Sequence, residues 1–263
     1  MSNKKSQKEP SSPQPKDNIK YVLAVMSGKG GVGKSSIAGL LACSMQRRGF
    51  LVGILDADIT GSSIPKIFGA HQVPVAAPQG IMPVESSKGI RLMSINLLLP
   101  KDDQPVVWRG PLIGRAIQQF WSDIAWGDLD FLILDLPPGT SDAALTVMQS
   151  LPLNSVLLVT SPQDLAGMIV RKAANMAISL SIPMLGLVEN MSYLLCPECD
   201  TRINLFGSSQ ADSTALRIGI PMIGQIPLDT ELSVLCDSGS IEDYQSDAVE
   251  RLTDKVMEII TKE

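Results

Sequence analysis

Aromatic residues make up only 4% of the 263-residue chain. With 44% of residues apolar, the core must therefore be aliphatic. Runs of Val, Ile and Leu suit strands buried on both faces of a parallel sheet. Histidine occurs once, at His71 in "FGAHQVP", and reads as a loop residue rather than a ligand. The four cysteines are too few for a disulfide framework. No apolar run approaches the roughly 20 residues that a membrane span needs. The first 20 residues hold Lys, Ser, Pro, Gln and Asp without the apolar centre of a signal peptide. Residues 1–19 are expected to form a disordered polar tail. Cationic charge is not in excess, for the formal net charge is -5, so a broad nucleic-acid surface is not implied. The expectation is a cytoplasmic protein with neither a nucleic-acid nor a membrane partner.

Short hydrophobic runs are spread evenly along what remains. "YVLAVM" (21–26) leads into a glycine-rich loop, and "SSIAGLLACSMQRRG" (35–49) has helical periodicity with an Arg-Arg-Gly stop. "LVGILDAD" (51–58) and "DFLILDLPPGT" (130–140) read as strands ending in acids. "SVLLVTSP" (155–162), "MLGLVENM" (184–191) and "PMIGQIPLD" (221–229) follow, with helical patterns between them such as "DLAGMIVRKAANMAISL" (164–180). This alternation predicts an α/β domain over residues 20–263, a mainly parallel β-sheet with helices on both faces. Ligands of such sheets bind beyond the carboxyl ends of the strands, where the glycine loop and the acids fall. Residues 72–105 are rich in Pro, Gly and Ser and read as an excursion with a hairpin around "GIMPVESSKGIRLMSIN". The terminal segment predicts an amphipathic helix with Val249, Leu252, Val256 and Ile259 on one face, packed on the domain.

The stretch "SGKGGVGKSS" (27–36) fits two phosphate-binding patterns. Gly28, Gly30 and Gly33 make the dinucleotide pattern G-x-G-x-x-G, and Asp56 or Asp58 follows at a ribose-binding distance. Gly28, Gly33, Lys34 and Ser35 make the triphosphate P-loop G-x-x-x-x-G-K-S. Only the P-loop needs Lys34 and Ser35 together, the ammonium for the β- and γ-phosphates and the hydroxyl for Mg²⁺. Asp135 ends an apolar strand, as a metal-facing Walker B acid should. The nucleotide set is then Gly28, Lys29, Gly30, Gly31, Val32, Gly33, Lys34, Ser35 and Ser36, and the P-loop NTPase fold follows.

A second lysine early in the loop, Lys29, resembles the deviant Walker A of the SIMIBI-type ATPases. More of the chain resembles the Mrp/ApbC (Nbp-type) iron–sulfur carriers within that group. "SGKGGVGKS", "LDADITGSSIP", "WRGP", "FLILDLPPGTSD", "VENMSYLLCPEC" and "GQIPLD" occur in that family's order, over residues 20 to 262. The resemblance implies an ATPase in which Lys29 reaches the partner's nucleotide across a homodimer. It implies that Asp58 positions the attacking water, that Asp56 supports Mg²⁺ or its waters, and that Asp135 holds Mg²⁺ through water. Pro137, Pro138 and Gly139 would form a switch turn near the γ-phosphate. Asn190 would read adenine, with Pro227 near the base; as residues alone, the first also suits a turn and the second a strand end.

Cys196 and Cys199 in "LLCPECD" form a C-x-x-C pair. Two thiolates cannot complete a zinc site or a four-iron cluster, each of which takes four ligands. Cys43 lies in a helical pattern and Cys236 has no cysteine near it in sequence. A two-fold dimer would complete the count. The resemblance implies a labile [4Fe–4S] cluster held there and passed to apo iron–sulfur proteins, with a cluster assembly scaffold as a further partner. Structural zinc stays open beside it, and a redox disulfide less so. The rival class is a partition- or septum-type positioning ATPase, which has no need of the C-x-x-C pair. Two departures from the family's usual pattern are Asp200 where glycine often follows the second cysteine, and Ser62 where proline often stands.

Overall fold

The computed structural model describes residues 18–58, 61–98, 110–162 and 166–262. The expected tail lies outside these residues except for its end, where Ile19 already opens the first strand. Ile59, Thr60, Trp108 and Arg109 of the family-like stretches also lie outside them, as do the end of the 72–105 segment and the start of the helix expected from residue 164.

Strand β1 (Ile19–Ser27) feeds the glycine loop and helix α1 (Lys34–Arg47), and β2 (Val52–Asp56) and the short α2 (Ile64–Ile67) follow. Four brief strands come next: β3 (Val75–Ala77), β4 (Gly80–Met82), β5 (Val84–Glu85) and β6 (Arg91–Ser94). Alternation then sets in with α3 (Gly110–Ser122), β7 (Leu129–Asp135), α4 (Asp142–Ser150), β8 (Ser155–Thr160), α5 (Ala166–Ser179) and β9 (Met184–Glu189). A small hairpin of β10 (Leu194–Leu195) and β11 (Arg202–Ile203) precedes α6 (Ala211–Ile218), β12 (Met222–Gln225), α7 (Thr230–Asp237) and α8 (Asp247–Ile260).

The main sheet has eight strands in the order β12-β9-β8-β1-β7-β2-β6-β5, and every pairing is parallel except β5 with β6. The sequence's alternation of strand and helix is thus realised as a doubly covered sheet. Alternate residues of β1 divide the core: Leu23 and Val25 join α1 and α8 on one face, while Val22, Ala24 and Met26 join α3 and α5 on the other. With both faces covered, the middles of the central strands are apolar, as in Val22–Met26 of β1 and Phe131–Leu134 of β7.

The 72–105 segment bears out the expected hairpin, for β5 and β6 pair antiparallel through Val84–Leu92 and Glu85–Arg91, but corrects the reading of an excursion. β3 and β4 make the only separate hairpin there among the described residues, whereas β6 lies parallel to β2 within the main sheet. The cause is burial: Ile90, Leu92 and Met93 are all withdrawn from solvent, on both faces of the sheet.

Local chemistry sets the helix ends. Ser141, Asp229 and Ser246 accept hydrogen bonds from backbone N–H groups in the first turns of α4, α7 and α8, satisfying donors that the helix leaves unpaired. Beyond α1, Gly49 takes a left-handed φ of 88°, which glycine adopts without a steric penalty. Arg47 and Arg48, legible in the sequence as a helix stop, also clamp α8: both reach Glu250, at 2.8 and 2.9 Å, and Arg48 reaches Asp254 at 2.8 Å. Val249, Leu252 and Val256 lie buried beneath that clamp.

Truncating Leu252 to Ala should cost about 2–4 kcal/mol, the range for an aliphatic side chain removed from a packed core. Urea unfolding measures it; a loss below about 0.5 kcal/mol, the size of a surface substitution, would mean that α8 is not docked.

Candidate functional site

Register builds the site. Val25 of β1 and Asp56 of β2 both pair with Asp135 of β7. Two carboxylates therefore end adjacent strands, and the glycine loop leaves β1 beside them.

The loop bends through Gly31 and Gly33, with φ of 77° and 76°. A side chain is strained in that region, and at Gly33 a Cβ would also lie 2.1 Å from the Asn190 amide nitrogen. At Gly28 a Cβ would meet Ile169 of α5 at 2.6 Å. The loop is thus closed in from two sides while Gly31 faces open space. It bounds a cavity of about 250 Å³ lined by Lys29, Gly30, Gly31, Gly33, Lys34, Ser35, Ser36, Asp58 and Pro138. Backbone N–H groups at a helix start carry partial positive charge, and this concavity suits a polyphosphate.

Lys34 begins α1 and is 6% exposed; its ammonium pairs with the Oδ1 atom of Asp135, which is fully buried. The Ser35 hydroxyl donates to Oδ2 of the same carboxylate at 2.5 Å. One acid thus holds both side chains that the P-loop pattern singled out. A hydroxyl and a carboxylate joined in this way fit a Mg²⁺ site, because hard cations take oxygen donors.

Asp56 behaves differently. It is fully buried and is not among the residues lining the cavity. Its carboxylate accepts from the Asp58 and Ile64 N–H groups, at 3.1 and 3.2 Å, and from the Ser62 hydroxyl at 2.6 Å. Ser62 also meets Ser94 at 2.6 Å. The serine that departs from the family's usual proline therefore joins a network bracing the loop that carries Asp58. Burial, reinforced by the negative charge of Asp135, pushes the Asp56 carboxyl up to about 7. Asp58 is 8% exposed and faces the cavity, and its Oδ1 accepts from the Gly61 N–H at 3.1 Å. The switch turn is pinned to the loop's own strand, for the Gly139 N–H donates to the Ser27 carbonyl at 2.9 Å.

Asn190 lies beneath the loop, 4% exposed, and its amide donates to the Val32 carbonyl at 3.0 Å. Its Oδ1 accepts no hydrogen bond among the described residues. Pro227 is half-buried and follows Ile226, which exchanges backbone hydrogen bonds with Glu189 and Ser192 on either side of Asn190.

Cys196 and Cys199 sit at the tip of the β10–β11 hairpin, the first partly exposed and the second exposed. Two backbone bonds shape the tip: Cys196 N–H to the Thr201 carbonyl at 3.0 Å, and Asp200 N–H to the Cys196 carbonyl at 2.9 Å. Asp200 has a φ of 55°, so the residue that replaces glycine here occupies a glycine-type conformation. Hydrogen bonding with the Thr201 side chain and backbone, and with Cys196, holds the Cys199 thiol below its ordinary value. Among the described residues no third His, Cys, Asp or Glu joins the pair in a metal-binding group. Cys43 is buried on α1, its thiol pushed up to about 12 by burial, and Cys236 is half-buried on α7. Leu195, Ile203, Leu205 and Phe206 remain exposed around the hairpin.

One group escaped the sequence reading. Glu189 ends β9 fully withdrawn from solvent and accepts from Ser192 at 2.5 Å, Ser209 at 2.8 Å and Gln225 at 3.0 Å. Gln225 in turn accepts from Arg202 at 2.9 Å, and Arg202 stacks over Tyr193 at 4.0 Å. The one signal for it was an acid at the end of an apolar strand.

The chain matches the model of the NUBPL iron-transfer P-loop NTPases over residues 18–262. It is 41% identical to an iron–sulfur cluster carrier protein of Methanococcus maripaludis, covering all of this chain and 94% of that protein. A second carrier protein of that name, from Methanocaldococcus jannaschii, is 44% identical over 84% of this chain and 77% of its own. Among solved structures, a nucleotide-binding protein from Archaeoglobus fulgidus in complex with ADP superposes with a TM-score of 0.80 at 44% identity, covering 88% of this chain and 91% of that one. The cell division ATPase MinD of Pyrococcus furiosus shares the fold, with a TM-score of 0.63 at 20% identity, 92% of this chain and 99% of that one being covered. No helix of the described residues is long and apolar enough to cross a membrane.

A pH dependence follows from Asp56. Its carboxyl keeps its proton to about pH 7 in the folded chain, against 3.8 ordinarily. Stability from this group is full below the unfolded value and is lost as pH rises to the folded one, a fall of a few kcal/mol. Chemical denaturation of the nucleotide-free protein at pH 4.5 and 8 should show the fall, and Asp56→Asn should remove most of it. An unchanged pH slope in the variant would show that Asp56 is ionised throughout.

Proposed function

The chain belongs to the NUBPL-type iron-transfer P-loop NTPases, and we propose that it is an ATP-hydrolysing carrier that holds a [4Fe–4S] cluster between two copies of itself and delivers it to apo-proteins. The observation that carries this reading is the cysteine hairpin. Two adjacent thiols project at its tip with no third ligand beside them among the described residues. A four-iron cluster takes four thiolates, so Cys196 and Cys199 of two chains make one site. The exposed Leu195, Ile203, Leu205 and Phe206 supply apolar surface for such a contact. The exposed Cys199 thiol, held below its ordinary value, also suits a reducing compartment such as the cytoplasm.

The nucleotide end works by positioning and charge. The Gly28–Ser36 loop wraps the phosphates, and Lys34 turns from Asp135 to the β- and γ-oxygens. The Ser35 hydroxyl would hold Mg²⁺ directly and Asp135 through water, and the ion would neutralise charge on those oxygens. Asp58, braced by Asp56, orients a water for in-line attack on the γ-phosphorus. The bond to the β–γ bridging oxygen breaks, releasing ADP and phosphate. Lys29 of the second copy stabilises the charge that develops on the transferring group. Asn190 keeps Oδ1 as an acceptor for the amino group of adenine while its amide nitrogen holds the loop, and Pro227 lies near the base. The same closure of two chains that completes the phosphate site brings the four thiols together, which couples hydrolysis to cluster retention.

Lys29→Ala should slow hydrolysis by about 10²–10³-fold, the range for losing one donor to developing charge. In mixed dimers with a wild-type copy the defect should appear at the partner's site, read from turnover with one nucleotide site disabled. A defect confined to the variant's own site would leave Lys29 acting in cis.

Anaerobic reconstitution with iron and sulfide should give about two irons per chain, one four-iron cluster per pair of chains. Cys196→Ala or Cys199→Ala should abolish the iron absorption and leave ATP binding intact, whereas Cys43→Ala and Cys236→Ala should not. Stoichiometric zinc with no iron absorption would favour the structural-zinc reading instead.

A further inference from the structure

A cavity of about 400 Å³ opens between α5 and α6, apart from the glycine loop. It is lined by Glu189 and Ser161 from the ends of β9 and β8, by Arg171 and Met168 of α5, and by Thr214 and Arg217 of α6. Its inner wall is polar and withdrawn: Glu189 is 1% exposed, Ser161 4% and Thr214 7%. Neither the Ser161 nor the Thr214 hydroxyl has a hydrogen-bond partner among the described residues, and neither is sealed from the cavity. Buried hydroxyls left in this way favour a bound polar group. The volume lies at the small end of ligand pockets.

The charges are arranged with equal economy. Glu189 takes its hydrogen bonds from neutral donors and has no ion-pair partner among the described residues, although it is buried. Arg171 and Arg217, more exposed, likewise lack an acidic partner among the described residues. A buried carboxylate favours a cation, and guanidiniums favour carboxylates bound in a forked geometry. Purely anionic ligands would meet the repulsion of Glu189. Purely cationic ones would meet that of the two arginines.

We propose that this cavity is a binding site for a small acidic amino acid, its ammonium on Glu189 and its two carboxylates on Arg171 and Arg217, with the Ser161 and Thr214 hydroxyls donating to the nearer carboxylate. Among the described residues that line the cavity the count of charges matches, one acid and two guanidiniums against one ammonium and two carboxylates in the ligand. The proposal stands independently of the carrier reading, because it concerns neither the phosphate cavity nor the cysteines.

Isothermal titration of the full chain with L-glutamate tests it, run with the glycine-loop site saturated by ADP. One saturable site per chain is expected. Glutarate, which lacks the ammonium, and 4-aminobutyrate, which lacks the α-carboxylate, should each bind at least about tenfold more weakly; each discards one charge-assisted hydrogen-bonding group. Arg217→Ala and Arg171→Ala should each weaken L-glutamate by a similar factor while ATP binding is unchanged. No saturable binding, equal binding of glutarate, displacement by ADP, or indifference to both arginine substitutions would overturn the assignment. The ligand analogues test Glu189 without altering the protein, so a variant that misfolds does not decide the outcome.

Discussion

The buried carboxylate of Asp135 is the constraint around which the site is arranged. Parallel register places it beside Asp56 at the carboxyl ends of two neighbouring strands, where two bare negative charges side by side would be costly. The fold answers each acid in a different way. Asp135 takes the Lys34 ammonium and the Ser35 hydroxyl, while Asp56, its carboxyl pushed up by burial, spends its hydrogen bonds on the loop of Asp58. One acid thereby organises the loop that meets phosphate, and the other organises the loop that meets water. A single pairing of three strands sets both.

The cysteine hairpin is tied to the same sheet by a polar route. Arg202, three residues beyond Cys199, reaches Gln225 at the end of β12, and Gln225 reaches Glu189 at the end of β9. Asn190 follows Glu189 in the chain and touches the glycine loop at Val32. The nucleotide loop and the thiols therefore hang from consecutive residues of one strand end. A shift of the glycine loop has a short covalent and hydrogen-bonded path to the hairpin.

Short-range chemistry was legible. "GKGGVGKSS" and "LLCPECD" declare themselves because a phosphate nest and a thiol turn are each built within a few residues, and acids ending "LVGILDAD" and "DFLILD" point to the sheet edge. What stayed hidden depends on residues far apart. Strand β6 is four residues long and is defined by β2 beside it, so its Pro- and Ser-rich flanks suggested an excursion. Arg47 and Arg48 read as a helix stop because their partners, Glu250 and Asp254, lie some 200 residues away. Asp56 ends its strand two residues before Asp58, which in sequence marks it for Mg²⁺ or its waters and says nothing of the hydroxyl it meets. Only the third dimension shows it turned toward Ser62. The role of Asn190 in holding the Val32 carbonyl spans 158 residues, beyond the reach of any local pattern.

β1 is the first strand of the described residues, yet its neighbours in the sheet are β7 and β8. During synthesis its apolar residues emerge more than a hundred positions ahead of both partners. At roughly 5–20 residues per second that interval lasts on the order of ten seconds. Throughout it the strand is a naked sticky edge, and the nest of Gly31 and Gly33 has no sheet to hold its shape. Ribosome-bound chains in which β8 has not yet left the exit tunnel are consequently exposed to misassociation and blind to nucleotide.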